Sequence, residues 1–275
     1  MDVFQVVIIA VAVLAIIALI CGVMLTVASK FMAVEEDELF PAVRECLPGA
    51  NCGACGFAGC DGYASALVAD PELSITLCVP GGASAAQQLG QVLGREGGEV
   101  VKMVAEVRCG GTCAATSAKM DYEGIESCSA AKLLFGGSGA CIYGCAGLGD
   151  CVKVCPEKAI YLVGGIARVD TGLCTGCGLC AKTCPNGVIA VRPASAPVVV
   201  DCNNTRPGAE TRKACTVGCI GCKLCERNCP AGAITVTNNL ASVSYEKCVG
   251  CGKCVEVCPS KCIVGLNLVA GAKQA

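Results

Sequence analysis

Residues 174–185 read CTGCGLCAKTCP and residues 248–259 read CVGCGKCVEVCP, the same four-cysteine phrase closed by proline, twice in one chain. The 275 residues include 28 Cys and 35 Gly, no His and no Trp, and only 4% are aromatic. At that cysteine density a staple, rather than a large apolar core, decides the fold. A disulfide framework does not call for cysteines two residues apart followed by Pro. Zinc needs two separated pairs that close a tetrahedron, often with His.

The spacing C-x2-C-x2-C-x3-C-P is the bacterial ferredoxin run. Three thiolates wrap one [4Fe–4S] cube, the fourth ligates a second cube, and the proline turns the chain away. The repeat has a measurable period. Cys155, Cys174, Cys177, Cys180 and Cys184 recur 74 residues later as Cys229, Cys248, Cys251, Cys254 and Cys258. Inside each copy lies a hairpin, AIYLV-GG-IARVD and AITVT-NN-LASVS, with the small turn that such strands favour. The fold class expected is therefore α+β, with two ferredoxin-like modules at 140–198 and 217–275 and a connecting segment at 199–216.

In the second module, Cys219, Cys222, Cys225 and Cys258 are expected to hold one cluster and Cys229, Cys248, Cys251 and Cys254 another. In the first, Cys155, Cys174, Cys177 and Cys180 make the equivalent of the latter. The position matching Cys222 is Leu148, so Cys145, Cys151 and Cys184 lack a partner, and Cys141 in a Gly-rich stretch is expected to replace it. Of Cys109, Cys113, Cys128, Cys202 and Cys215, four are candidates for a sixth cluster. Two of these follow valine-rich runs, VVKMVAEVRC and APVVVDC, which are expected to pair and bring distant thiols together; the bland reading is buried thiols packed as small hydrophobes.

Upstream, Cys52, Cys55, Cys60 and Cys78 form a Gly-rich C-x2-C-x4-C-x17-C set suited to a [4Fe–4S] cluster, with zinc as the competitor. That domain is drawn at 29–90 and a connecting segment at 91–139. Cys21, Cys46 and Cys262 remain as ordinary thiols. The cofactor expectation is five [4Fe–4S] clusters, and six if the middle set closes.

Residues 3–28 contain no charge, enough for a helix to cross a hydrocarbon core of about 30 Å. With no basic residue before it and too long an apolar run, this reads as an anchor at 1–28 rather than a cleaved signal. Lys30 directly after the helix puts the rest of the chain on the cytoplasmic side of the inner membrane; the acidic run Glu35–Glu38 does not count in that rule. Residues 29–139 carry 7 Lys/Arg against 14 Asp/Glu, and residues 140–275 carry 14 against 8. Lys153, Lys182, Lys223, Arg227 and Lys253 stand inside the ligand loops, a basic face suited to an acidic partner. Nucleic acid is excluded as a partner by the near absence of aromatics to interleave with the charges.

An N-terminal helix, the CGACG domain, a C-x3-C-x5-C-x3-CP module and a second module CIGCKLCERNCPAGAI together resemble, over nearly the full chain, the B subunit of the Rnf ion-translocating ferredoxin:NAD oxidoreductase. The resemblance implies a translocase component that takes electrons from soluble ferredoxin. It would pass them along its clusters to other membrane and peripheral subunits, where flavins, NAD and Na⁺ or H⁺ transport reside. The residues agree: no G-x-G-x-x-G stands between strand and helix, and GGSGAC at 136–141 lacks that context. No catalytic residue can be named, because there is no His and no nucleophile–base pair. One uncharged helix makes no ion path. Two other classes fit the residues: an electron-transfer subunit of another membrane-bound redox enzyme, and a non-redox metal scaffold.

Overall fold

The computed structural model describes residues 3–31, 38–96 and 98–268. Asp2 and residues 35–37 of the acidic run fall outside that description. The chain divides into two units, Met1–Pro41 and Ala42–Ala275. The first is dominated by α1, Val3–Phe31. Within it, Val11–Ser29 has a mean hydropathy of 2.9 and no residue buried in the protein. Leu14, Leu19 and Leu25 are each about two-thirds or more exposed, an arrangement with physical sense in lipid rather than in water.

The boundary falls within α2 (Leu39–Glu45), and the second unit continues with α3 (Gly59–Ala69) and α4 (Gly82–Leu93). Tyr63, Leu67 and Leu89 are its buried anchors. Arg95 reaches back to the carbonyls of Leu67 and Leu73, and Arg44 pairs with Asp61.

Beyond it the chain runs through β1 (Met103–Val107), α5 (Cys128–Leu133), α6 (Asp150–Lys153), β2 (Ile160–Val163), β3 (Ile166–Val169), α7 (Leu179–Thr183) and β4 (Ile189–Pro193). Then come β5 (Val198–Val200), α8 (Gly208–Ala214), α9 (Leu224–Arg227), β6 (Ile234–Thr237), β7 (Leu240–Val243), α10 (Lys253–Glu256) and β8 (Ile263–Gly265). Four two-stranded antiparallel ribbons result: β2–β3, β6–β7, β1–β4 and β5–β8. The two hairpins sit 74 residues apart in identical register. Gly164 and Gly165, like Asn238 and Asn239, all have positive φ, as a type I′ turn between right-twisted strands requires.

The two valine-rich runs do not pair with each other. β1 pairs with β4 and β5 pairs with β8. Each run closes its own module, where Val107 and Val198 become almost fully buried and cover apolar surface that a cross-module ribbon would leave wet. The module cores are correspondingly separate. One gathers Val107, Ile160, Ile166 and Val188 around Cys109, Cys151 and Cys180. The other gathers Val198, Ile234 and Ile263 around Cys202, Cys219, Cys225 and Cys254. Thiols here do the filling that branched aliphatics do in larger domains.

Candidate metal centres

Among the described residues, no group of three or more Cys, Asp or Glu side chains converges tightly enough to hold a single metal ion. The cysteines instead stand around cavities or share a local electrostatic environment. Cys78 feels Cys60, Cys55 and Cys52, so the N-terminal four come together as spaced. Cys180 feels Cys177, Cys174 and Cys155, and Cys254 feels Cys248, Cys229 and Cys251. Cys219, Cys222, Cys225 and Cys258 line one cavity, with Cys262 on the same wall.

Two sets differ from the expectation. The cavity of Cys145, Cys151 and Cys184 is lined by Cys128, not by Cys141. Cys128 arrives at the start of α5, which is clamped onto the first module from several directions. Ser127 caps the helix through Ala130 N–H, and Asp150 accepts from the Ser127 hydroxyl at 2.9 Å and the Ser129 N–H at 3.1 Å. Lys153 donates to the Glu126 carbonyl at 2.7 Å, and Lys132 donates to the carbonyl of Pro185, next to Cys184. Cys141 lies instead on a cavity with Cys109, Cys202 and Cys215, whose lining Cys145 also reaches. Cys113 joins none of these sets: it is exposed, with its N–H bonded to the Gly164 carbonyl at 2.9 Å.

This central cavity has an internal symmetry. The N–H of Cys145 donates to Cys109 Sγ at 3.4 Å, and the N–H of Cys219, 74 residues on, donates to Cys202 Sγ at 3.2 Å. Cys109 and Cys202 each lie two residues past a strand that closes its module. Cys141 and Cys215 are themselves 74 apart. Each half thus contributes two thiols. Cys109 and Cys202 are 93 apart, so the first half carries 19 additional residues between strand and module. Cys128 falls within that longer segment, and it lines the cavity of Cys145, Cys151 and Cys184, whose set has Leu148 where the second half has Cys222.

The cysteine sites suit iron–sulfur cubes by the backbone donors that reach their sulfurs. Sγ atoms accept backbone N–H groups: Ala159 to Cys155 and Ala233 to Cys229, both at 3.3 Å, Ala105 to Cys174 at 3.3 Å, and Ala167 to Cys145 at 3.4 Å. Donors of this kind stabilise the negative charge of ligand thiolates and cluster sulfides. Gly111 opens room at the centre, since a Cβ there would stand 3.5 Å from Cys109 Sγ and 3.6 Å from Cys215 Sγ. Without metal, burial raises the Cys151 thiol to about 12 and those of Cys180, Cys202, Cys225 and Cys254 to about 11. Near neutral pH such thiols stay protonated, and metal binding displaces the protons. Cys258 departs from that trend, drawn down to about 5 by its hydrogen bond with Cys262.

The neighbouring sites are linked. Lys182, two residues before Cys184, donates from Nζ to the Cys52 carbonyl at 2.9 Å, and Cys177 feels Cys52. Arg108 donates to Asn203 Oδ1 at 2.8 Å, and Asn203 donates onward to the Asn186 carbonyl. The central cavity therefore touches the ligand loops of both modules.

Family models match three parts of the chain: a putative Fe-S cluster domain over residues 47–80, a 4Fe-4S binding domain over 167–190 and a 4Fe-4S dicluster domain over 218–262. Among curated proteins, the B subunit of the proton-translocating ferredoxin:NAD(+) oxidoreductase complex of Clostridium ljungdahlii is 49% identical over 84% of this chain and 82% of its own length. The B subunit of the Methanosarcina acetivorans ion-translocating oxidoreductase complex is 44% identical over 86% of this chain and 90% of its own. The Na(+)-translocating counterpart from Acetobacterium woodii is 41% identical over 86% and 71%.

Proposed function

The chain belongs to the B subunits of the Rnf ion-translocating ferredoxin:NAD oxidoreductase complexes, an iron–sulfur electron-transfer component of a membrane-associated translocase, and from that premise we propose a path for its electrons. Six [4Fe–4S] clusters form a single file. Cys52, Cys55, Cys60 and Cys78 hold the first, and Cys155, Cys174, Cys177 and Cys180 the second. Cys128, Cys145, Cys151 and Cys184 hold the third, and Cys109, Cys141, Cys202 and Cys215 the fourth. Cys219, Cys222, Cys225 and Cys258 hold the fifth, and Cys229, Cys248, Cys251 and Cys254 the sixth. When bound, these clusters supply one-electron chemistry at low potential, as all-thiolate ligation without His favours. The protein's own part is to hold thiolates, donate backbone N–H groups to sulfur and exclude water.

The observation that carries the order is the central cavity, whose thiols Cys109 and Cys202 accept the N–H groups of Cys145 and Cys219. It joins the third and fifth sites, while the bond from Lys182 to Cys52 joins the first domain to the second site. Reduced soluble ferredoxin is the proposed donor, and the flavin- and NAD-binding subunits of the complex are the acceptors. The apolar helix is proposed as a single inner-membrane anchor with the cluster domains on the cytoplasmic side.

The test is an iron and acid-labile sulfide determination on anaerobically purified chain, with an optical spectrum before and after dithionite. About 24 iron atoms and a bleachable broad band are expected for six cubes. About 20 iron atoms, with no further loss in C109A, would remove the central cluster from the file. A spectrum that dithionite leaves unchanged would leave a metal scaffold rather than a redox chain.

A further inference from the structure

Cys262 follows Cys258 by four residues and belongs to none of the six ligand sets. It is 2% exposed and lies on the wall of the cavity shared by Cys219, Cys222, Cys225 and Cys258. Its Sγ stands 3.6 Å from Cys258 Sγ, and Cys219 lines the same cavity. One of the four candidate ligands thus contacts an extra thiol.

The repeat supplies an internal control. Seventy-four residues earlier the same position is Val188, 1% exposed, on the wall of the cavity lined by Cys128, Cys145, Cys151 and Cys184. The backbone around the two positions is equivalent, since Cys262 and Val188 each immediately precede the module's last strand. One cavity presents an S–H to its ligands and the other an isopropyl group.

We propose that Cys262 is not an iron ligand but a built-in hydrogen-bond donor to the Cys258 thiolate, and that it sets the reduction potential of the fifth cluster upward. The inference rests on the reading that this cavity holds a cluster. A thiol is ordinarily protonated near neutral pH, and the buried Cys262 Sγ stands at hydrogen-bond distance from Cys258 Sγ. Its S–H then offsets part of the negative charge that the cube gains on taking up one electron, so the reduced form is stabilised more than the oxidised. No bond to iron forms or breaks. A valine in that place offers no proton.

The experiment is a potentiometric titration, followed by electron paramagnetic resonance, of the full anaerobically purified chain as wild type, C262V and C262S. C262V should retain the wild-type iron content, while one cluster's share of the signal moves to a lower potential by about a tenfold change in its reduction equilibrium, about 59 mV for one electron. C262S keeps a hydroxyl donor and should titrate close to wild type. Loss of about four iron atoms in C262V would make Cys262 a ligand and overturn the proposal; an unchanged titration curve would overturn it equally. Should C262V load no cluster at all, V188C decides: a thiol added to the first module's cavity should raise one cluster's potential by a similar factor, and no rise would overturn the idea. A wild-type chain without reducible clusters would instead sink the cluster reading itself.

Discussion

Asp201 Oδ1 is buried without a hydrogen-bond partner, one residue before Cys202 at the junction of the two modules. Its other oxygen stands 3.5 Å from Arg168, and 12% of the side chain is exposed. Desolvation, with Glu106 adding repulsion, raises its pKa to about 6 against the pull of Arg168. The proton is therefore held more tightly in the fold than in the unfolded chain. That stabilising contribution is fully present below about pH 4 and is lost as pH rises through 6. A shift of this size is worth on the order of 2–3 kcal/mol. D201N should then be more stable than wild type at pH 7.5, with the advantage shrinking toward pH 5, as read from thermal unfolding of both proteins under anaerobic conditions. An advantage independent of pH would mean that Asp201 does not titrate in this window. A second expectation at this scale concerns Cys128 and Cys141. If Cys128 shares a cube with Cys151, the double variant C128A/C151A should lose no more iron than either single one, because residues acting on one unit are not additive. C128A/C141A should lose the iron of two cubes. The ferredoxin runs are legible from spacing alone, yet spacing also points Cys141 to the cavity of Cys145, Cys151 and Cys184, whose lining does not include it. The corrective signal is present in the 74-residue register, which makes Cys141 the equivalent of Cys215 and so gives both the same task. In that register Cys128 falls on Cys202, yet the structural match of Cys202 is Cys109, and only the folded position of α5 reveals the place of Cys128.

Short elements carry thiols to their places in this molecule, and side chains at their ends do the fastening. Helix α5 has six residues, too few to be stable on propensity, so Cys128 depends on the clamp made by Asp150, Lys153 and Lys132. The Asp150 carboxyl is kept below its ordinary range: slight burial opposes ionisation, but the Ser129 N–H and Ser127 hydroxyl outweigh it. D150A should loosen the third cluster while leaving the others in place. Iron analysis should show partial loss of one cube's worth, and more rapid loss to a chelator, without change in the second module's signals. Full retention after chelation would show that the remaining contacts suffice. Strands β1 and β5 are legible as strands from their valine runs. Their partners are not, since a run of three to five apolar residues does not state which edge it will cover. The choice is made by β4 and β8, which follow the last cysteine of each module and need a neighbour.

At the scale of the whole chain, charge separates the acidic first half from the basic cluster modules, but the structure gives two of the basic residues different work. Lys182 is tied to the Cys52 carbonyl, whereas Lys253 opens α10 in the second module. K182E should disrupt the contact between the N-terminal cluster domain and the first module, slowing transfer between them with little dependence on salt. K253E should slow the oxidation of an acidic ferredoxin through association. That effect should fade as ionic strength rises, because the screening length drops from about 10 Å at 0.1 M salt to about 3 Å at 1 M. Stopped-flow oxidation of reduced ferredoxin at two salt concentrations separates the cases, once each variant is shown to keep its iron. Equal salt dependence in both would mean that Lys182 also faces the partner. The order of domains along the chain is readable from composition and spacing. Their mutual contacts depend on single side chains such as Lys182 and Asn203, which leave no periodic trace in a sequence.

The central site has a further consequence, because two of its thiols come from each half. Residues 103–193 and 198–265 are each closed by their own ribbon and joined by a four-residue stretch. Neither half owns enough thiols to complete the cube proposed at their junction. A chain cut within residues 194–197 would therefore behave as two polypeptides held together by an inorganic rivet. They should co-purify when iron and sulfide are supplied, and part company when a chelator takes the metal away.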